Sequence, residues 1–368
     1  MTSGPALENL TAAIAEACRS GRPPEQLRDE VLPRLNRAVP FDAAFWGTTD
    51  PGTLLFTQAH QQALPPETIP AFLANEFGGE DANPFAELAV DAVGVATLAE
   101  VTGGALQRSP RHNEILAPLG FGDELRAVLR RDGAVWGVLC LHRTAGQSFI
   151  AEESRYVHRI GPLLADGIRH GLLVASVEMA PTAETPGLLL ISADGDIVSV
   201  TEAGSRWLEE LGDGNVGRYG LPPVVLAVAA RLDGAQNRGA VPRLRVRTRA
   251  GRWAVIHAAR LPEATRDVVA VIIEEPSPAE LAPILMLAYG LTRREREIAC
   301  LACRGRSTKQ ISAELRIATN TVQQHLTAVF DKTGVRSRRE LLSTFMQDQY
   351  MPRVAADQRA ARSGTFDR

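Results

Sequence analysis

Between Leu291 and Gln347 the sequence admits little besides a set of short, sharply punctuated helices. Apolar residues recur at helical spacing, first at Ile298, Leu301 and Ala302, then at Ile311 and Leu315, then at Val322, Leu326 and Val329. Each run therefore has one face to bury. Gly305 and Gly334 are placed to take the left-handed conformation that closes a helix, whereas Ser307 with Gln310, and Ser337 with Glu340, are spaced as capping boxes that open one. Four helices follow from this punctuation. About three residues, Arg316 to Ala318, separate the second from the third, the connection length of a DNA-binding helix-turn-helix.

Charge supports that reading. The stretch carries eleven basic residues against five acidic ones, a net of +6, so the overall charge of −3 leaves −9 on the remainder. A compact basic module on an acidic body is the electrostatic footprint of a nucleic-acid binder. With Val322, Leu326 and Val329 buried, Asn320, Gln324, Thr327 and Asp331 fall on the opposite side of the third helix, with Thr321 and Gln323 at its borders. A glutamine or asparagine amide pairs bidentately with adenine and a threonine methyl touches thymine, so Gln323, Gln324, Thr327 and Asn320 are the base-reading candidates. Ser307, Thr308, Lys309 and Thr321, with Lys332, Arg336 and Arg339, suit phosphate, because charges and hydroxyls near helix N-termini hold an anion without reading sequence.

The chain of 368 residues, 45% hydrophobic, has room for two or three folded domains. Its only lysines are Lys309 and Lys332. That rules against a phosphate loop ending in Gly-Lys-Ser/Thr, a Schiff-base enzyme, a protein kinase and an upstream phosphoreceiver, each of which needs a lysine elsewhere. Four scattered cysteines and an N-terminus without a basic or apolar leader favour a reduced cytoplasm. No apolar run reaches the ~18 residues of a membrane span. Cys300 and Cys303 lie one turn apart without a second ligand pair and are read as core residues; no metal site is expected. His142, His158, His170 and His325 are read as packing histidines.

Upstream, 7–19 and 25–39 read as amphipathic helices, and 41–48 and 54–58 as a hairpin turning through Asp50-Pro51-Gly52. A helix from Pro66 to Phe77 precedes a mixed stretch, 78–104. Residues 123–130 and 135–142 form a second hairpin through Asp132-Gly133, and 151–171 a helix that Gly161-Pro162 should bend. After a linker at 179–186, a hairpin (187–191 and 197–200), a helix (202–211) and strands at 244–249, 252–259 and 268–274 describe a small antiparallel sheet. An apolar helix, 278–289, leads into the basic module. The tail, 350–368, is polar, aperiodic and expected to be disordered.

Three resemblances attach to these segments. Phe41-Asp42-Ala43-Ala44-Phe45 and the run Val135 to His142 resemble a GAF domain over residues 7–175, and residues 186–276 resemble a PAS domain. Phe45, Trp46, Trp136 and Cys140 are then the candidate pocket for an unidentified small ligand. The runs Leu291 to Ile298, Gly305 to Ile311, Thr321 to His325 and Gly334 to Leu341 resemble the LuxR-type helix-turn-helix, here 291–347 after a connector at 278–290 and before a tail at 348–368. The expected fold is thus multidomain, two α+β sensor domains and an all-α four-helix module.

The LuxR resemblance implies a non-enzymatic transcription regulator, dimerisation through the last helix on a two-fold symmetric site in double-stranded DNA, RNA polymerase as a further partner, and a Glu295–Arg338 pair. No cofactor is expected. Two departures stand out: relatives often carry a basic residue at the positions of Gln323 or Thr327, and a serine cap where Ala318 stands, leaving Thr319 as the alternative cap. The competing reading is a ligand-binding or enzymatic protein whose basic module serves association. It requires a convergent acid, base or nucleophile set, which the sequence does not offer.

Overall fold

The computed structural model describes residues 4–174, 185–192, 195–212, 221–232, 241–261 and 268–345. The linker expected at 179–186 lies mostly outside them, as does the tail expected at 348–368. The chain divides into two compact units, and two five-stranded antiparallel sheets make up the first of them.

Helices α1 (Gly4–Arg19) and α2 (Pro24–Ala38) open that unit. Pro24 at the first helical position has no amide to leave unsatisfied, and Leu27, Val31, Leu32 and Leu35 give α2 a buried stripe. β1 (Ala43–Thr49) and β2 (Phe56–Gln62) pair antiparallel across the expected Asp50 turn, where the Gly52 amide donates to Asp50 Oδ1 at 2.9 Å. Then come α3 (Ile69–Gly78), α4 (Phe85–Val90), β3 (Val95–Thr97) and α5 (Leu98–Thr102), the last opened by a capping box between Thr97 and Glu100 and closed by Gly103 at φ +63°. β3 is a strand within the stretch read as mixed helix and loop; it pairs with only three residues of β4, too few to show a period.

β4 (Phe121–Arg131) and β5 (Ala134–Thr144) form the long hairpin. Asp132 (φ +51°) and Gly133 (φ +79°) both take positive φ, as a two-residue turn matched to strand twist requires. Helix α6 (Ala151–Val174) is continuous through Pro162 and packs with α1 and α2 against the sheet, whose strand order is β2-β1-β5-β4-β3.

The second sheet has the order β7-β6-β10-β9-β8, from β6 (Gly187–Ser192), β7 (Ile197–Val200), β8 (Arg243–Arg247), β9 (Trp253–Leu261) and β10 (Val268–Glu274). Helices α7 (Glu202–Leu211) and α8 (Pro223–Ala230) are inserted after β7. One apolar cluster runs through both sheets, joining Phe56, Phe72 and Phe77 to Val224, Val228 and Val246. Beside it, fully buried Asp50 accepts from Arg245 Nη2 at 2.6 Å, Arg245 Nε at 2.9 Å and the Arg245 amide at 3.0 Å. Two segments separate in sequence therefore share one interior.

The second unit contains α9 (Pro278–Ala288), α10 (Arg293–Cys303), α11 (Thr308–Leu315), α12 (Thr319–Thr333) and a last helix, α13, over 338–345. Ile298, Leu301, Ala302, Ile311, Val322 and Leu326 form its core. α9 is joined to this bundle, with Cys300 Sγ 3.8 Å from Met286 Sδ and the Tyr289 and Phe345 rings edge to face.

Candidate nucleic-acid interface

The geometry of the basic module starts at its turns. A capping box opens α10 from Thr292 and Glu295, and another opens α11 from Ser307 and Gln310. Arg316 then takes the left-handed conformation at φ +53°, which ends α11, and Ser312 Oγ donates to the Ile317 carbonyl at 2.5 Å to hold the tight turn. Those constraints aim α12 out of the bundle with Val322, Leu326 and Val329 buried beneath it.

Asn320, Gln323, Gln324 and Thr327 are all exposed along α12. The Thr327 hydroxyl donates to the Gln323 carbonyl at 3.1 Å, so its polar atom is engaged within the helix. The N-cap is Ala318, which offers no side-chain acceptor, and Thr319 is the first helical residue rather than the cap. The first-turn amides of α12 thus meet no side-chain cap, and the positive end of the helix dipole carries none either.

Around this face, Lys309, Arg336 and Arg339 are exposed, and Thr321 is half-buried. The remaining phosphate candidates are committed elsewhere to different degrees. The exposed Ser307 hydroxyl accepts the Gln310 amide at 3.3 Å, and Thr308 Oγ1 accepts from Arg338 at 2.7 Å. Lys332 donates to Glu295 at 2.7 Å and to the Gly290 carbonyl at 3.1 Å.

The expected Glu295–Arg338 pair is not formed. Glu295 pairs with Lys332, because α12 ends beside the start of α10, while Arg338 reaches the Arg306 carbonyl at 2.7 Å and pins α13 to the α10–α11 turn. Burial works to raise the Glu295 carboxyl, but the Lys332 ammonium and the Thr292 amide and hydroxyl outweigh it and leave the group below its ordinary value. Cys303 lies half-buried in α10, its thiol pushed up to about 11 mainly by burial.

In the first unit, the four residues proposed to line a pocket do not converge. Phe45 and Cys140 are cross-strand partners in the apolar core, where Phe45 meets Phe56 and Phe72. Trp46, the next residue on β1, points to the other face, as strand alternation demands. Trp136 sits where the β4–β5 register shifts.

The space over Phe45 and Cys140 is filled by a charged network that periodicity does not reveal. Arg126 and Arg111 are buried and pair with Glu76 and Glu124 respectively. Arg111 also takes Asn75, Asn83 and the Ala82 carbonyl, and the Arg126 guanidinium stacks 3.9 Å from the Phe85 ring. Glu124 and Arg126 alternate with apolar residues on β4, which reads as a solvated face; here α3 and α4 cover it.

An open cleft of about 310 Å³ lies instead where the two sheets of this unit meet, lined by Arg28, Gln58 and His60 on one side and Val224, Arg247 and Arg249 on the other. Burial lowers the His60 imidazole below its ordinary value, helped by the Arg28 charge. None of the residues singled out in the sequence lines the cleft.

Residues 290–345 match the family of bacterial regulatory proteins, luxR family. The spore germination protein GerE of Bacillus subtilis is 42% identical over 48 residues, 13% of this chain and 65% of that protein. The probable transcriptional regulatory protein SgaR of Hyphomicrobium methylovorum is 29% identical over 99 residues, 26% of this chain and 47% of that protein. The chain thus spans about half to two-thirds of the length of these curated relatives. Among solved structures, the GAF domain of a phosphoenolpyruvate-protein phosphotransferase from Coxiella burnetii is matched over its whole length and 48% of this chain, at 16% identity and a TM-score of 0.33. The C-terminal module is therefore a luxR-family helix-turn-helix domain.

Proposed function

We propose that the chain is a transcription regulator in which α12 reads the major groove of double-stranded DNA and the two-sheet unit adjusts that binding. One observation carries the reading. The face of α12 opposite its buried stripe is polar, exposed and uncharged at Asn320, Gln323, Gln324 and Thr327, and lies on a module with a net charge of +6. Amides and a methyl discriminate bases, whereas the surrounding cations supply affinity without sequence preference. Lys309, Arg336 and Arg339, with Thr321 and the uncapped amides at the start of α12, take the phosphate role. Lys332 supports the fold of the module through Glu295.

The active form is a homodimer on a two-fold symmetric site, with RNA polymerase as a further partner, in the cytoplasm and without catalytic activity. Among the described residues, no helix is long and apolar enough to cross a membrane. Sensing belongs to the cleft between the sheets rather than to Phe45 and Cys140, and its three arginines suit an anionic small molecule.

Binding of the full chain to mixed-sequence duplex DNA over a range of salt tests the reading. Each phosphate neutralised should contribute roughly −0.9 to the slope of log affinity against log salt. An affinity independent of salt would overturn it.

A further inference from the structure

A candidate chemical site lies inside the first sheet. On β5, Cys140 and His142 are two residues apart and share a face, and Glu124 on β4 is the cross-strand partner of His142. One ligand atom from each of Glu124, Cys140 and His142 comes within 4.8 Å of the other two, and all three side chains are buried. Glu124 Oε1, His142 Nδ1 and Arg126 Nε, the last 4.0 Å from Oε1, are enclosed there without a hydrogen-bond partner. Buried polar atoms are ordinarily satisfied, and a carboxylate and an imidazole that each keep an unpartnered atom beside a thiol point to something that binds them.

We propose that Glu124, Cys140 and His142 bind one divalent transition-metal cation of the zinc class. A carboxylate, a thiolate and an imidazole are a ligand set that zinc accepts at ~2.0–2.3 Å, with a fourth position for water. On binding, Cys140 releases its thiol proton to solvent as the metal–sulfur bond forms, His142 lends a neutral ring nitrogen, and no electron is transferred.

Neighbouring charge accommodates the cation. Arg111 holds Glu124 Oε2, at 2.8 Å, leaving Oε1 for the metal, while Arg126 Nε is 4.0 Å from Oε1. Glu76, Asp81, Glu124 and the Cys140 thiolate bring four negative charges against the two of Arg111 and Arg126, and a divalent cation balances the difference. Arg231, half-buried, also faces Glu76. The site departs from the expectation of no metal and stands independently of DNA binding.

The test uses full-length protein refolded with a chelator and then with Zn²⁺ or Co²⁺, followed by native mass spectrometry and the near-ultraviolet thiolate-to-cobalt absorption band. One metal per chain and a cobalt–thiolate band are expected. Cys140→Ser should abolish the band and weaken binding by more than the roughly 10–100-fold that changes outside the ligand set cost. A double variant, Cys300→Ser with Cys303→Ser, should keep both signals. Absence of metal or band in the unaltered protein, a band that survives Cys140→Ser, or one lost in the double variant would overturn the proposal. Should Cys140→Ser fail to fold, the double variant decides alone: a retained band supports the buried site and a lost band refutes it.

Discussion

Lys332 and Lys309 illustrate how similar residues divide between fold and interface. Lys332 and Glu295 tie the end of α12 to the start of α10, and Glu295 is only 8% exposed. Glu295→Ala removes charge-assisted hydrogen bonds from Lys332 and the Thr292 amide and should cost about 1.5–3 kcal/mol, read from denaturant unfolding of the module. The Glu295 carboxyl is depressed in the folded state, so its stabilisation is complete above the ordinary glutamate range and fades as pH falls through the lower folded value. Glu295→Gln should flatten that acid limb, and an unchanged limb would contradict the pairing. Lys309 is exposed on α11 and is proposed to contact phosphate. Lys309→Ala should weaken binding to all duplexes alike and reduce the salt slope by about 1, whereas Gln324→Ala should relax preference at one base position by about 1–3 kcal/mol. Equal behaviour of the two variants in binding assays would remove the distinction between phosphate and base contacts.

At the level of elements, α12 begins at Ala318 without a side-chain cap. Ala318→Ser should stabilise the module by about 1 kcal/mol, seen as a higher midpoint in thermal unfolding, and no gain would mean that the first-turn amides are already satisfied. The longer helices and the three hairpins were legible because each has its own period and its own punctuation, whereas α4 and α5 fell in the stretch read as mixed and α8 was given no range. Asp132-Gly133 announces its turn, and Ser307 with Gln310 announces α11. β3 was not legible, because three residues carry no period. Partner identity was not legible either. Nothing local in Glu295 distinguishes Lys332 from Arg338, since the choice depends on where α12 ends in space. For the same reason the alternation of Glu124 and Arg126 with apolar residues does not reveal α3 and α4, which bury them against Arg111 and Glu76.

The whole first unit depends on joints that separate sequence segments cannot reveal. Asp50 ends one hairpin strand and meets Arg245 on the other sheet, beside an apolar cluster common to both. Asp50→Ala leaves the Arg245 guanidinium without its carboxylate and should cost about 3–5 kcal/mol. Hydrogen exchange should then show the 50–55 turn and β8 losing protection together; loss at the turn alone would mean that the two sheets are energetically separate. Both the cleft and the charged core of the first sheet rest on that unit. We place the output in the luxR-family module and propose that its exposed, neutral α12 face within a basic surround reads the DNA. The measurement that tests it most directly is selection of full-length protein on a pool of random duplexes. The account predicts enrichment of a two-fold symmetric sequence whose base preferences change at one position in Gln324→Ala. Failure to enrich any symmetric sequence, or identical enriched sequences from both proteins, would contradict it.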